Sequence, residues 1–169
     1  SPRNPVEADA PPRRNALPAF GVAMRRGQVN TAKMSDAILR GKAGGYPADY
    51  KLLYLVDTDY PNQYLDVNKA VRALKSLEFV VVFEQFMTPG ARFADLVLPT
   101  SNSLEKNDIA LDGATGFYGY MNKAAEPPGE ARSHLRIGID LAARLGIPDY
   151  SDKTEDEWLR EIVKGSRDI

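Results

Sequence analysis

The sequence predicts an α/β domain built on a mostly parallel sheet, and three observations predict it. Lys51 to Val56 (KLLYLV) is an apolar run that stops at the polar Asp57-Thr58-Asp59-Tyr60-Pro61-Asn62, the profile of a buried strand ending in a loop. Val67, Ala70, Val71, Leu74 and Leu77 then recur at helical spacing, with Lys69, Arg72 and Lys75 on the other face. Phe79 to Phe83 (FVVVF) is β-branched and apolar throughout, as for a strand covered on both faces. Strand, helix and strand within about 33 residues favour a right-handed parallel crossover.

The remaining elements follow along the chain. Residues 1–33 form an irregular lead-in, because the first 18 residues hold five prolines and no amphipathic period develops there. Ser35 is placed to cap a short helix running to Arg40, which Gly41 ends before the Gly44-Gly45-Tyr46-Pro47 turn. From about residue 34 to 169 the chain reads as one ordered domain. Thr88 and Pro89 have the composition of an N-cap and first helical residue, so a helix of one or two turns should lead into a third strand at Ala94 to Leu98, stopped by Pro99. Residues 99–131 show no sustained period and predict a long ordered excursion over the sheet. Ser133 can cap a helix carrying Leu135, Ile139, Ala142 and Leu145, closed by Gly146 and Pro148. Thr154 and Glu157 form a capping box for a last helix with Trp158, Leu159 and Ile162 on its apolar stripe. Both helices are expected to cover the sheet.

Composition narrows the function classes. Lysine and arginine number 22 against 23 aspartates and glutamates, which favours neither nucleic acid nor an anionic membrane as partner. With no cysteine, this stretch holds no disulfide and no cysteine-ligated iron–sulfur cluster. No apolar run approaches the roughly 20 residues that cross a bilayer, and the N-terminus lacks a basic-then-apolar signal pattern, so no direct membrane insertion is expected. The chain starts at Ser1 without a methionine, as expected for a piece of something larger.

His134 is the only histidine, so a nucleophilic triad or a histidine metal cluster would have to use it without obvious helpers. The pairs Asp57/Asp59 and Glu105/Asp108 are compatible with acid–base or hard-metal chemistry and equally with loop and capping roles. No glycine-rich dinucleotide or Walker fingerprint follows the first strand. Position is more informative. In an open parallel sheet, ligands lie beyond the carboxyl ends of the strands, which here present Asp57-Thr58-Asp59, Glu84-Gln85 and Thr100 to Lys106. A carboxylate there, Glu84 or Asp59, can accept bonds from the N1 and N2 donors of guanine, and Lys106 suits a phosphate or ring oxygen.

The segments LYLVDTDYPNQYLD, EFVVVFEQFMTPGARFADLVLPTSNSLEKNDI and NKAAEPPGEARS, followed by a helix ending in LAARLG, resemble the third domain of the dimethyl sulfoxide reductase family of molybdenum and tungsten enzymes. The resemblance covers roughly residues 34–165 and extends to the DEWL of residues 156–159. It implies a Rossmann-like, three-layer domain that helps to bind one of two molybdopterin guanine dinucleotides, with the metal ligand and any cluster cysteines in other domains. Within that likeness, Asp59 stands at the asparagine of a Gly-x-Asn-Pro loop, Asp57 at its glycine, with Thr58 between them, and Tyr60 at its proline. Glu84 stands at the acidic position ending the second strand, with Gln85 beside it. Lys106 stands at the basic member of a Glu-Lys pair, and His134 where some members carry an aspartate.

The likeness implies a fragment of an oxygen-atom-transferring or hydroxylating oxidoreductase of anaerobic respiration, inactive alone. Its partners would be the remaining domains of the same catalytic subunit and an iron–sulfur electron-transfer subunit, with the intact enzyme periplasmic or membrane-associated through a partner. The altered residues 57–60 leave a second possibility open, a binding or assembly module that keeps the fold without the cofactor.

Overall fold

The computed structural model describes residues 29–111 and 118–165. Its elements in chain order are α1 (Met34–Arg40), β1 (Leu52–Val56), α2 (Tyr60–Gln63), α3 (Val67–Ser76), β2 (Phe79–Glu84), β3 (Leu96–Pro99), β4 (Asp108–Leu111), β5 (Tyr118–Met121), α4 (His134–Leu145) and α5 (Glu155–Gly165). The chain divides into two compact units, Ser1–Lys51 with Tyr64–Glu78, and Leu52–Gln63 with Phe79–Ile169. The first part of the lead-in, residues 1–28, lies outside the described residues.

In the first unit, a 3-10 turn at Thr31–Lys33 runs directly into α1 and is capped by Asn30, whose side chain accepts from the Ala32 N–H at 2.9 Å. Ser35, the expected cap, is instead buried inside α1, because the helical rise begins one turn earlier. Gly41 ends the helix as anticipated, at φ 49°. α3 starts at Asp66, whose carboxylate accepts from the Lys69 N–H at 3.0 Å. Its buried residues are Ala70, Ala73 and Leu74, while Val67 is exposed. The buried stripe is therefore rotated from the expected one, and Lys69, assigned to the solvent face, reaches Asp36 of α1 at 3.2 Å. Shortness of the side chains at 70 and 73 is what allows α1 and α3 to approach.

The second unit holds the sheet, whose three strands are parallel, as the sequence predicts, and lie in the order β1-β2-β3. Val80, Val81 and Val82 of the central strand are all fully buried, which is why FVVVF carries no polar residue. In place of the helix expected from Thr88-Pro89 there is a 3-10 turn at Ala91–Phe93 with Gly90 at its N-cap position; the Thr88 hydroxyl accepts from the Ala91 N–H at 3.2 Å at its start, and the turn delivers the chain to β3. Ser133 accepts from the Arg136 N–H at 3.2 Å and Gly146, at φ 66°, closes α4. The capping box of α5 is complete, with Glu157 accepting from the Thr154 N–H and hydroxyl and donating its own N–H to the Thr154 hydroxyl. Those hydrogen bonds, the backbone one first, hold the Glu157 carboxyl below its ordinary value.

Three features differ from what the sequence predicts. Residues 57–62 are not simply a polar loop: α2 forms over Tyr60–Gln63, and Tyr60 is fully buried. The excursion at 99–131 contains an antiparallel pair, β4 with β5, in register Asp108↔Met121 to Leu111↔Tyr118. The two last helices also cover less than expected. Among the described residues of α4 only Ala142 is buried, and Leu52, Tyr54, Val56, Phe79 and Leu96 of the sheet remain between 42 and 49% exposed.

Candidate functional site at the carboxyl edge of the sheet

Because the three strands run parallel, the chain leaves all of them on one side, and the polar residues that follow collect there. Asp57 is the first residue after β1. It adopts φ 48°, donates its N–H to the Phe83 carbonyl at 3.2 Å, and keeps a carboxylate that is 53% exposed. The Thr58 hydroxyl donates to the Gln63 side-chain carbonyl, which folds α2 back on the loop. Asp59 turns inward: its carboxylate is buried and accepts from the Gly90 N–H at 2.7 Å, while its carbonyl accepts from the Asn62 and Gln63 N–H groups.

Glu84 closes β2 opposite Pro99, and its carbonyl accepts from the Thr100 N–H at 3.3 Å. One carboxylate oxygen accepts from the Gln85 N–H at 2.9 Å, and the Gln85 residue itself is exposed. His134 is the first residue of α4, which the Ser133 cap positions over the end of β2. Its ring stacks on Phe83 at 6.1 Å between centroids. Its Nε2 lies 3.3 Å from Oδ1 of Asp57, within ion-pair distance but not aligned for a hydrogen bond, so that this buried nitrogen has no hydrogen-bond partner among the described residues. Lys106 reaches Asp108 at 2.9 Å.

The sequence singled out Asp57, Thr58, Asp59, Glu84, Gln85, Lys106 and His134. The structure joins Asp57 to His134 and Lys106 to Asp108, and it directs Asp59 into the fold. The two acidic pairs do not form: Asp57 and Asp59 face different partners, and Glu105 accepts from the backbone and side-chain N–H groups of Asn102 at 3.0 and 2.7 Å. Among the described residues no three histidines, cysteines or acids gather as a metal site. In the sequence Thr100 and Ser101 stand out only as part of a polar edge. Both hydroxyls are buried and unpartnered among the described residues, a feature no sequence pattern announces.

Burial opposes ionisation of Asp108, yet the hydrogen bonds from Lys106 and the Ile109 N–H, with the Lys106 charge and a smaller contribution from His134, outweigh it and hold the carboxyl below its ordinary value of 3.8. A depressed carboxyl stabilises the fold above its unfolded value and loses that contribution as pH falls through the folded value, here below 3.8. Lys106→Ala removes the principal opposing group and leaves burial dominant. The acid limb of its pH–stability profile should therefore shift to higher pH, as followed by circular dichroism. An unshifted limb would remove the pair from the electrostatics of this edge.

The edge thus offers binding chemistry: carboxylate acceptors at Glu84 and Asp57, and donors at Lys106 and His134. A family model described as molybdopterin oxidoreductase matches residues 20–144. Biotin sulfoxide reductase of Cereibacter sphaeroides is 32% identical over 149 residues, 82% of this chain and 20% of that protein. Trimethylamine-N-oxide reductase of Haemophilus influenzae is 36% identical over 125 residues, 72% of this chain and 15% of that protein. In structure the chain is similar to acetylene hydratase from Pelobacter acetylenicus, with TM-score 0.63 and 28% identity over 72% of this chain and 16% of that one. The chain therefore spans a fifth or less of the length of each.

Proposed function

The chain belongs to the molybdopterin oxidoreductases of the dimethyl sulfoxide reductase family, and from that premise we propose that residues 34–169 hold the nucleotide end of a molybdopterin guanine dinucleotide within a larger catalytic subunit. The observation that supports the proposal is the pairing of Asp57, at the end of β1, with His134 on the carboxyl edge of a parallel sheet whose next strand ends at Glu84, with Lys106 paired to Asp108 in the segment that follows β3. Their chemistry fits the group. Guanine presents adjacent N–H donors to a carboxylate acceptor, and the phosphates or a ring oxygen of the nucleotide suit a lysine. The Thr100 and Ser101 hydroxyls, unpartnered among the described residues, are buried polar atoms of the kind that a polar ligand satisfies.

Glu84 is assigned to the base, Lys106 to an oxygen of the nucleotide, and Asp57, Thr58, Gln85 and His134 to the rim around it. Asp59 supports that rim from beneath through Gly90. When bound, the cofactor supplies oxygen-atom transfer or hydroxylation coupled to two-electron exchange. The remaining domains of the subunit, and an iron–sulfur partner for the electrons, complete the enzyme. Flanking coding sequence tests this: an upstream cysteine cluster and a downstream β-rich domain agree with it, and their absence overturns it.

The isolated chain should show no turnover and bind guanosine diphosphate no more tightly than the millimolar range, since one face supplies few of the contacts that enclose a dinucleotide. Calorimetry checks this. Micromolar binding would show that most of the nucleotide site lies within this chain.

A further inference from the structure

We infer that Asp57 and His134 act as one unit, in which the imidazole positions the exit turn of β1 so that the Asp57 carboxylate accepts from the donor-bearing part of a bound nucleotide. This rests on the nucleotide reading above and names what it leaves open, the residue pair that presents the acceptor on the β1 side. The donors could belong to the guanine base or to the ribose, which share the ability to give N–H or O–H hydrogens to one carboxylate.

Two observations carry it independently. The first is the backbone at Asp57, which at φ 48° lies in the left-handed region that glycine occupies freely and an aspartate occupies at a cost. Such a position is retained where the side chain is used. The second is His134. Its place is fixed from three directions: by the start of α4 under the Ser133 cap, by the Phe83 ring beneath it, and by Asp57 at 3.3 Å. Its Nε2 is buried and has no aligned partner among the described residues, so the group nearest to it that can complete a bond is the Asp57 carboxylate.

The surroundings set the direction of the effect. Asp57 is joined to the sheet by its N–H on Phe83, the same residue whose ring carries His134, so turn and imidazole share one support. On the far side Asp108 senses the charge of His134 and is itself held by Lys106. Of these two carboxylates, Asp57 is the one within ion-pair distance of the imidazole, and its side chain is 53% exposed at the edge where a ligand would lie. Oδ1 of Asp57 faces the histidine, and the exposed part of the carboxylate is left for the ligand.

The test uses the chain itself and its single histidine, whose imidazole gives one isolated set of nuclear magnetic resonance signals. Guanosine diphosphate at millimolar concentration should shift the His134 imidazole and the Asp57 amide. Asp57→Gly keeps the left-handed turn and should melt no lower than Asp57→Ala, yet should lose the nucleotide-induced shift at His134. His134→Gln, which retains a donor toward Asp57, should preserve the shift of the Asp57 amide that His134→Ala loses. A structural role alone would not produce that rescue. Inosine diphosphate, which lacks the 2-amino group but keeps N1–H, shifts these signals less than guanosine diphosphate if the base supplies the donors; 2′-deoxyguanosine diphosphate, which lacks the 2′ hydroxyl, does so if the ribose supplies them. Undiminished nucleotide shifts in Asp57→Gly overturn the inference. Shifts elsewhere that spare Asp57 and His134 overturn it too, while leaving the nucleotide reading standing. No shift anywhere up to tens of millimolar nucleotide overturns the inference, while the nucleotide reading is decided separately by the flanking coding sequence and by cofactor retention in the full-length protein.

Discussion

Asp59→Ala is expected to destabilise the chain by about 1–3 kcal/mol, the cost of leaving the buried Gly90 N–H without its acceptor. In a domain of this size each kcal/mol lowers the melting temperature by roughly 2–4 °C, so the loss is measurable by thermal unfolding. The bond joins residues 31 apart in sequence and pins the loop after β2 to the start of α2. Asp59→Asn keeps an acceptor and should recover most of the loss. Gly90→Ala attacks the same contact from the other side, since an added Cβ would stand 2.8 Å from the Asp59 carboxylate and 3.1 Å from Pro61. The double variant should cost less than the sum of the singles, because each removes one shared bond. A strictly additive pair, or an Asp59→Ala variant as stable as the parent, would show that the bond contributes little.

Asp59 also marks where the sequence stops being informative. The likeness of the 57–60 loop to a ligand-binding loop points to this residue as a ligand contact, and nothing local distinguishes an outward aspartate from one turned beneath the sheet. Gly90, which draws it inward, is an unremarkable glycine after Thr88-Pro89 until the two loops are placed side by side. The Asp57–His134 pair is hidden for the same reason: a strand end and a helix start come together only once β1, β2 and α4 are assembled.

Features governed by local chemistry were legible. β2 is an apolar run because Val80 to Phe83 are all buried, and that requirement is written into consecutive residues. Ser133, Gly146 and the Thr154–Glu157 box act within one helical turn, so sequence spacing alone defines them. The hairpin β4–β5 was not legible, because four-residue strands are too short to establish a period and Gly119 interrupts the second. The buried stripe of α3 was misplaced because Val67 outranks Ala73 in hydrophobicity. Contact with α1 favours the smaller residue.

In the full-length protein, Glu84→Gln should retain molybdenum and pterin no better than Glu84→Ala, and both less well than the parent. The sheet fixes the backbone at Glu84, through its pairing with Pro99 and the bond from the Thr100 N–H, so the side chain leaves from a rigid base. One carboxylate oxygen already accepts from the Gln85 N–H at 2.9 Å. That bond decides how a glutamine would sit. Its carbonyl oxygen would take the place facing the Gln85 N–H, and its amide nitrogen would then point where the second carboxylate oxygen had been. A donor would thus meet the donors of guanine, whereas alanine merely withdraws the acceptor. Charge-assisted bonds of this kind contribute about 1.5–3 kcal/mol when the ligand shields them from water, enough for roughly a ten-fold or larger loss of retention. Metal analysis and pterin fluorescence on the purified variants measure it. Full occupancy in both variants would return Glu84 to an ordinary solvated strand end, and glutamine outperforming alanine would place the base elsewhere on this edge.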